Sequence, residues 1–282
     1  MSEHIIVSLT TYSKRIDNLP TVLDTIFSQT HQPDKVVLNL AFDEVIPSDI
    51  QSYLNAHPIE VFRVPDTKVY KKLIPTLKRY PNDCVISIDD DFLYPNGMIE
   101  DFMAIHRQYP DNPISGNREV FRGYKCHCGC ASLMKYDYLG ANIDCIDDDV
   151  MSHCRCDDIV YTFFANRNKH PYVRTSELYF ENMKSYNQVD AYSSSIDYRG
   201  LSATYSYLVN RFGPVEHNIG QYVKDAYIAD ILEDINSSSM KTGRLQGHED
   251  IYNSITYKVG HFILRPFKAV AHLFPSLISG KK

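Results

Sequence analysis

Three consecutive acids, Asp89, Asp90 and Asp91, stand directly behind the apolar run Cys84-Val85-Ile86-Ser87-Ile88. The run is rich in β-branched residues and reads as a fully buried strand, which puts the acids at its carboxyl end. Ionised carboxylates side by side raise one another's pKa, so the cluster needs positive charge or strong hydrogen bonds around it. A hard divalent cation, magnesium, manganese or calcium rather than zinc, is the simplest such partner for oxygen donors. Strand alternation continued through the acids would point Asp89 and Asp91 to one side, where they would share an ion or its bound phosphates. A solvated acidic turn, with Pro95, Asn96 and Gly97 as turn residues, is the competing reading. The strand favours the first, because open α/β sheets bind ligands just beyond the carboxyl ends of their strands.

Other residues with chemistry to offer lie nearby in the same pattern. The segment TTYSKRIDNLP places Arg15 between an opening strand and a helix, where free helix N–H groups attract phosphate and the guanidinium offers a bidentate fork. Lys68, Lys71 and Lys72 open a later helix and serve either an anion or a solvated face. A second acidic pair, Asp157 and Asp158, precedes the apolar run from Ile159 to Phe164, where an Asp is a good helix N-cap. Cys126, His127, Cys128 and Cys130, followed by Cys145, His153, Cys154 and Cys156, raise the question of zinc. Their C-x-C-x-C spacing is unlike the C-x-x-C of structural zinc sites and fits small buried residues better.

These groups need elements to bring them together. Strands are expected over His4–Thr11, Lys35–Ala41, Ile59–Val64 and Cys84–Ile88, with helices over about Leu19–Gln29, Ile50–Ala56 and Val69–Tyr80 between them. Such alternation implies a mostly parallel sheet covered by helices, with Thr10, Arg15, Asp66, Lys71 or Lys72 and the acids on one rim. Neither G-x-G-x-x-G nor G-x-x-x-x-G-K-[ST] occurs, which argues against a dinucleotide-binding Rossmann site and a P-loop kinase.

The chain has 282 residues, 44% hydrophobic and 23% charged, with a net charge of -6. That is an ordinary globular balance with no reason to expect nucleic acid as a partner. The segment HIIVSLTTY goes straight into strand material, so no secretory signal is read, and no apolar run is long enough to span a bilayer. Seven cysteines in a chain of this size read as reduced thiols, which makes the cytoplasm the expected compartment.

The stretches IIVSLTTYSKRIDNLPTVLDTIFSQTHQPDKVVLNLA, KKLIPTLKRYPND and VISIDDDFLYPNGMIE together resemble bacterial GT-A glycosyltransferases of the polysaccharide-assembly type, over roughly residues 4 to 165. The resemblance implies a GT-A-like α/β fold, Rossmann-like, with a mostly parallel sheet and flanking helices. It makes Asp89 and Asp91 the metal-binding acids of a DxD motif holding Mn2+ or Mg2+, with Asp90 on the sugar or ribose. It also implies that Thr11, Arg15, Asp66, Lys71 and Lys72 contact a nucleotide-sugar donor, a UDP-sugar in the first instance. Asp158, and after it Asp157, become the base that takes the acceptor proton in an inverting transfer. His217 and Asn218 match the place of a further metal or phosphate ligand.

The remainder is read more coarsely. From Asn166 to Glu216 the chain is rich in Tyr and Ser, an excursion that either faces the acceptor or has no binding role. A helix is expected to begin within GPVEHNIGQYVKDAYIADILED. The expected division is a catalytic domain over 1–235, a polar linker over 236–250 and a tail over 251–282. The tail contains no acid. At helical spacing, Lys258, His261, Arg265, Lys268 and His272 fall on one stripe and Val259, Phe262, Ile263, Phe267, Val270, Leu273, Phe274 and Leu277 on another. Pro266 and Pro275 break this C-terminal amphipathic helical tail into pieces. Either it packs on the core or it adsorbs to the anionic inner face of the plasma membrane, which would suit a saccharide acceptor on a polyprenyl diphosphate. A nucleotidyltransferase, an aspartyl phosphatase and a non-catalytic sugar-binding protein are the alternatives. The phosphatase fits poorly, since Leu93 stands where its motif wants Thr.

Overall fold

The structure, a computed structural model, describes residues 3–116, 120–121, 124–175, 182–188 and 198–215. Its first half follows the expected alternation: β1 (Ile5–Thr10), α1 (Leu19–Phe27), β2 (Lys35–Ala41), α2 (Ser48–Ala56), β3 (Ile59–Val64), α3 (Ile74–Arg79) and β4 (Cys84–Ile88). Next come β5 (Phe92–Leu93), α4 (Met98–Gln108), β6 (Ile114–Ser115), the small ribbon of β7 (Val120–Phe121) and β8 (Tyr124–Lys125), and β9 (Ala131–Met134). Then follow α5 (Tyr136–Leu139), α6 (Asp148–His153), α7 (Asp157–Arg167), β10 (Val173–Arg174), β11 (Lys184–Ser185) and α8 (Tyr198–Phe212).

Seven strands form the main sheet in the order β10-β6-β9-β4-β1-β2-β3. β1 lies parallel to both β2 and β4, and β2 is parallel to β3. β9 is inserted antiparallel between β4 and β6, with Ile88 opposite Ala131. The sheet is thus mostly parallel with helices on its faces, the α/β class expected. Ile6, Val7, Leu9, Val37, Leu38, Leu40, Val85, Ile86 and Ile88 are all fully buried, as a sheet covered on both faces requires.

One expected helix is split. The stretch expected to be helical from Val69 to Tyr80 forms a 3-10 turn over Lys68–Lys72, followed by α3. Pro75 lies in the first turn of α3, where its missing N–H costs nothing, whereas inside a longer helix it would break a bond. Beneath this junction is a buried polar cluster. Ser8 on β1 donates to the Lys72 carbonyl at 2.5 Å and meets Thr76 Oγ1 at 2.7 Å, and Asn39 on β2 donates to Thr76 at 2.8 Å. These bonds fix the Lys72 backbone against the two central strands. The Tyr- and Ser-rich excursion contains α8, which packs on α7.

Among the described residues no helix is long and apolar enough to cross a membrane. The expected linker, the tail, the helix after Gly213 and His217 with Asn218 lie outside the described residues.

Candidate active site

β4 ends at Ile88, and Asp89, Asp90 and Asp91 form the turn into β5, so strand alternation does not run through them. Asp89 reaches one cation, and Asp90 with Asp91 another. Asp89, with about 29% of its side chain exposed, accepts from Lys72 Nζ at 2.9 Å. Asp90 is buried, accepting from the Thr11 hydroxyl and pairing with Arg15 Nη2 at 3.0 Å. Asp91 is buried too and pairs with Arg15 Nη1. The guanidinium of the loop after β1 therefore spans two neighbouring carboxylates of the loop after β4, a fork suited to that geometry.

Lys72 is the second cation of the cluster. Its buried ammonium also lies 3.5 Å from Asp157 Oδ2 at the head of α7 and donates to the Gly129 carbonyl at 3.1 Å. A Cβ placed on Gly129 would sit 3.3 Å from Lys72 Nζ, 3.4 Å from Asp158 Oδ1 and 3.5 Å from Asp89 Oδ2. Those three side chains thus face one small volume, open because residue 129 has no side chain. Lys71 turns elsewhere and donates to Asp66 at 2.6 Å, and Lys68 joins the same carboxylate. The two adjacent lysines therefore serve different acids: Lys72 the rim cluster and Lys71 the end of the β3 segment.

The electrostatics follow from burial and crowding. Burial raises the Asp90 carboxyl to about 7, although Arg15 and Thr11 hold its ionised form. Burial and the charge on Asp89 raise Asp91 to about 6, against Arg15 and Lys72. Burial also lifts Asp157, opposed by Lys72, and together with the Asp157 charge lifts Asp158 well above the carboxylate range. Burial would strip the proton from Lys72, but Asp157, Asp89 and Asp158 outweigh it and keep the ammonium. Among the described residues, five carboxylates thus share two cations, Arg15 and Lys72, and carboxylates outnumber the cations paired with them. Among the described residues Asp158 Oδ1 is buried without a hydrogen-bond partner, and Asp157 Oδ2 has only Lys72 Nζ, 3.5 Å away.

These oxygens fit a hard divalent cation by donor type. Among the described residues the acids do not bring three ligand atoms within 4.8 Å of one another; the single set that does is Glu3, Cys84 and His106. The rim would therefore hold a cation with one or two carboxylates and leave its other positions to water or phosphate oxygens, as is usual for Mg2+.

Residues with no motif of their own complete the site. Asn18 donates to the Asp90 carbonyl at 3.1 Å. The Tyr94 hydroxyl accepts from the Asp89 N–H at 2.9 Å and donates to the Cys130 carbonyl at 2.6 Å, joining the acidic turn to the loop before β9. His127 is fully buried between Tyr161 and Tyr172, its Nδ1 2.9 Å from the Tyr172 hydroxyl. Burial, then the charge of Lys72, depress its pKa and keep the ring neutral. Cys128 and Cys130 approach to 3.0 Å between sulfurs, and both lie in a loop rather than on a strand.

No family model matches the sequence, and no curated protein matches it. Among solved structures the chain is similar to a mannosyltransferase from Pyrobaculum calidifontis in complex with GDP-Man and Mn2+, at 14% identity and a TM-score of 0.47, over 98% of this chain and 88% of that one. It is also similar to S. aureus TarS 1-349 in complex with UDP, at 12% identity and a TM-score of 0.42, over 61% of each chain.

Proposed function

We propose that the chain is a metal-dependent glycosyltransferase that moves a sugar from a nucleoside-diphosphate donor, a UDP-sugar in the first instance, to a hydroxyl of a saccharide acceptor. The observation that carries this reading is the meeting of five carboxylates with Arg15 and Lys72 at the carboxyl edge of a parallel sheet, where such sheets take their ligands. A cluster in which carboxylates outnumber the cations paired with them suits a cation that bridges to a diphosphate.

Asp89 and Asp91 would hold Mn2+ or Mg2+, and the ion would offset charge on the departing diphosphate. Arg15 and Lys72 act on the same phosphate oxygens, Thr11 and Asp90 line the donor side, and Asp66 with Lys71 stands further along the rim for the nucleoside. In the transfer the bond between the anomeric carbon and the diphosphate oxygen breaks, its electron pair leaving with the diphosphate. The acceptor oxygen bonds to the carbon from the opposite face and gives its proton to Asp158, with Asp157 beside it, so that configuration inverts. An acceptor carried on a polyprenyl diphosphate and adsorption of the basic tail to the inner face of the membrane belong to the same reading.

A thermal-shift screen of nucleoside diphosphates, with and without Mn2+ or Mg2+, tests it. Stabilisation should need nucleotide and metal together and reach about 2.7 kcal/mol when the ligand is about 100 times its Kd. Turnover should release a nucleoside diphosphate; release of pyrophosphate would mark a nucleotidyltransferase, and binding without transfer a sugar-binding protein. Full metal-dependent turnover by Asp91→Asn would refute the metal role given to that residue.

A further inference from the structure

The amino edge of the sheet, opposite the acidic rim, carries a different set of ligands. Glu3 stands two residues before β1, Cys84 opens β4 and His106 lies in the last turn of α4. A carboxylate oxygen, Cys84 Sγ and a ring nitrogen of His106 all lie within 4.8 Å of one another. Cys84 and His106 are buried and Glu3 reaches solvent, so the group is closed on the protein side and open on the other.

Hydrogen bonds already join the three groups. The Tyr138 hydroxyl donates to the Pro110 carbonyl at 2.7 Å, so it presents a lone pair to His106 Nδ1 at 3.5 Å. Glu3 Oε2 lies 3.1 Å from Nε2, closer than Tyr138 comes to Nδ1, so without a metal Nε2–H donates to Glu3. The Cys84 thiol also hydrogen-bonds Glu3, and a metal ion would take the place of both hydrogens among the three ligands. Lys135 pairs with the other carboxylate oxygen, Oε1, and so leaves Oε2 available while orienting the group.

A thiol, an imidazole and a carboxylate form a borderline-soft set that selects zinc over magnesium or manganese, and three protein ligands with one water is a familiar zinc arrangement. We propose that Glu3, Cys84 and His106 bind one Zn2+ ion, which ties the segment ahead of β1 to β4 and α4. Binding releases the Cys84 thiol proton to solvent. The site lies at the edge away from the acidic rim, so it stands whether or not the transferase reading does.

The test strips the full chain with a chelator and titrates it with Zn2+ and with Co2+ in excess Mg2+. One equivalent of zinc should bind, raising Tm, and the cobalt form should show thiolate-to-metal charge-transfer absorption that Cys84→Ser abolishes. Glu3→Gln, at the exposed side, should weaken zinc by at least the 10–100-fold typical of lost outer-shell partners, with an unchanged far-UV spectrum. This second variant decides the matter if Cys84→Ser fails to fold. Failure of the intact chain to take up zinc would overturn the proposal and leave a hydrogen-bonded His106–Glu3 pair. Uptake unchanged in both variants would overturn it equally, by moving the ion to thiols elsewhere.

Discussion

Asp158 and Asp89 both face the space above Gly129, but their surroundings differ in a way that separates their duties. Asp89 is directly paired with Lys72 and partly exposed, whereas Asp158 Oδ1 is buried without a hydrogen-bond partner. A carboxylate held by an ammonium is suited to share a cation; one left unpaired is suited to take a proton. Asp158→Asn should therefore cut kcat by about 100- to 10,000-fold while keeping the nucleotide-dependent rise in Tm. Loss of that rise along with kcat would instead place Asp158 on the donor side. Arg15, the Asp triplet and Asp157 with Asp158 stand out in the sequence because charged groups flank apolar runs at strand and helix ends. Asn18, Tyr94 and Gly129 do not, since each contributes a backbone bond or an absent side chain rather than a reactive group.

At the scale of elements, strands β1 to β4 were legible because each is a short apolar run bounded by turn residues. The cover of the sheet is less legible. α4, with Met98, Ile99, Phe102 and His106 buried, is not among the expected helices. α8 gave weaker cues: Gly200 and several Ser and Tyr lower its propensity, and its stability comes from packing on α7. There Leu208 is fully buried, and Phe212 meets Phe163 and Phe164 with ring centroids 6.4 and 5.1 Å apart. Leu208→Ala should cost about 2–5 kcal/mol, seen as a lower urea midpoint at unchanged slope. An effect below about 0.5 kcal/mol would mean that α8 is not part of the cooperative unit. Pairing order was the other hidden feature, since a four-residue strand such as β9 has too little pattern to announce that it runs against its neighbours.

For the molecule as a whole, the crowded acids make stability depend on pH and on cations. Asp90 and Asp91 are raised from 3.8 to about 7 and about 6, so the folded chain binds more protons than the unfolded one across that interval. Their contribution to stability is greatest below pH 3.8 and is lost as pH rises toward about 7. A divalent ion should supply the charge that the departing protons remove. Mn2+ should accordingly raise Tm more at pH 8 than at pH 5, as differential scanning calorimetry would read; an equal rise at both would show that these two acids do not sense the ion.

Because β9 runs against β4, the polypeptide enters the sheet at Ala131 beside Ile88 instead of arriving from the far edge. The stretch that leads into it, with Gly129 and Cys130, hangs as a ceiling over the acids and is tied there by Tyr94. Lengthening or shortening the chain between Cys126 and Gly129 would remodel that ceiling while leaving strand register untouched, so what the space above Gly129 admits is free to diverge in evolution without redesign of the sheet beneath.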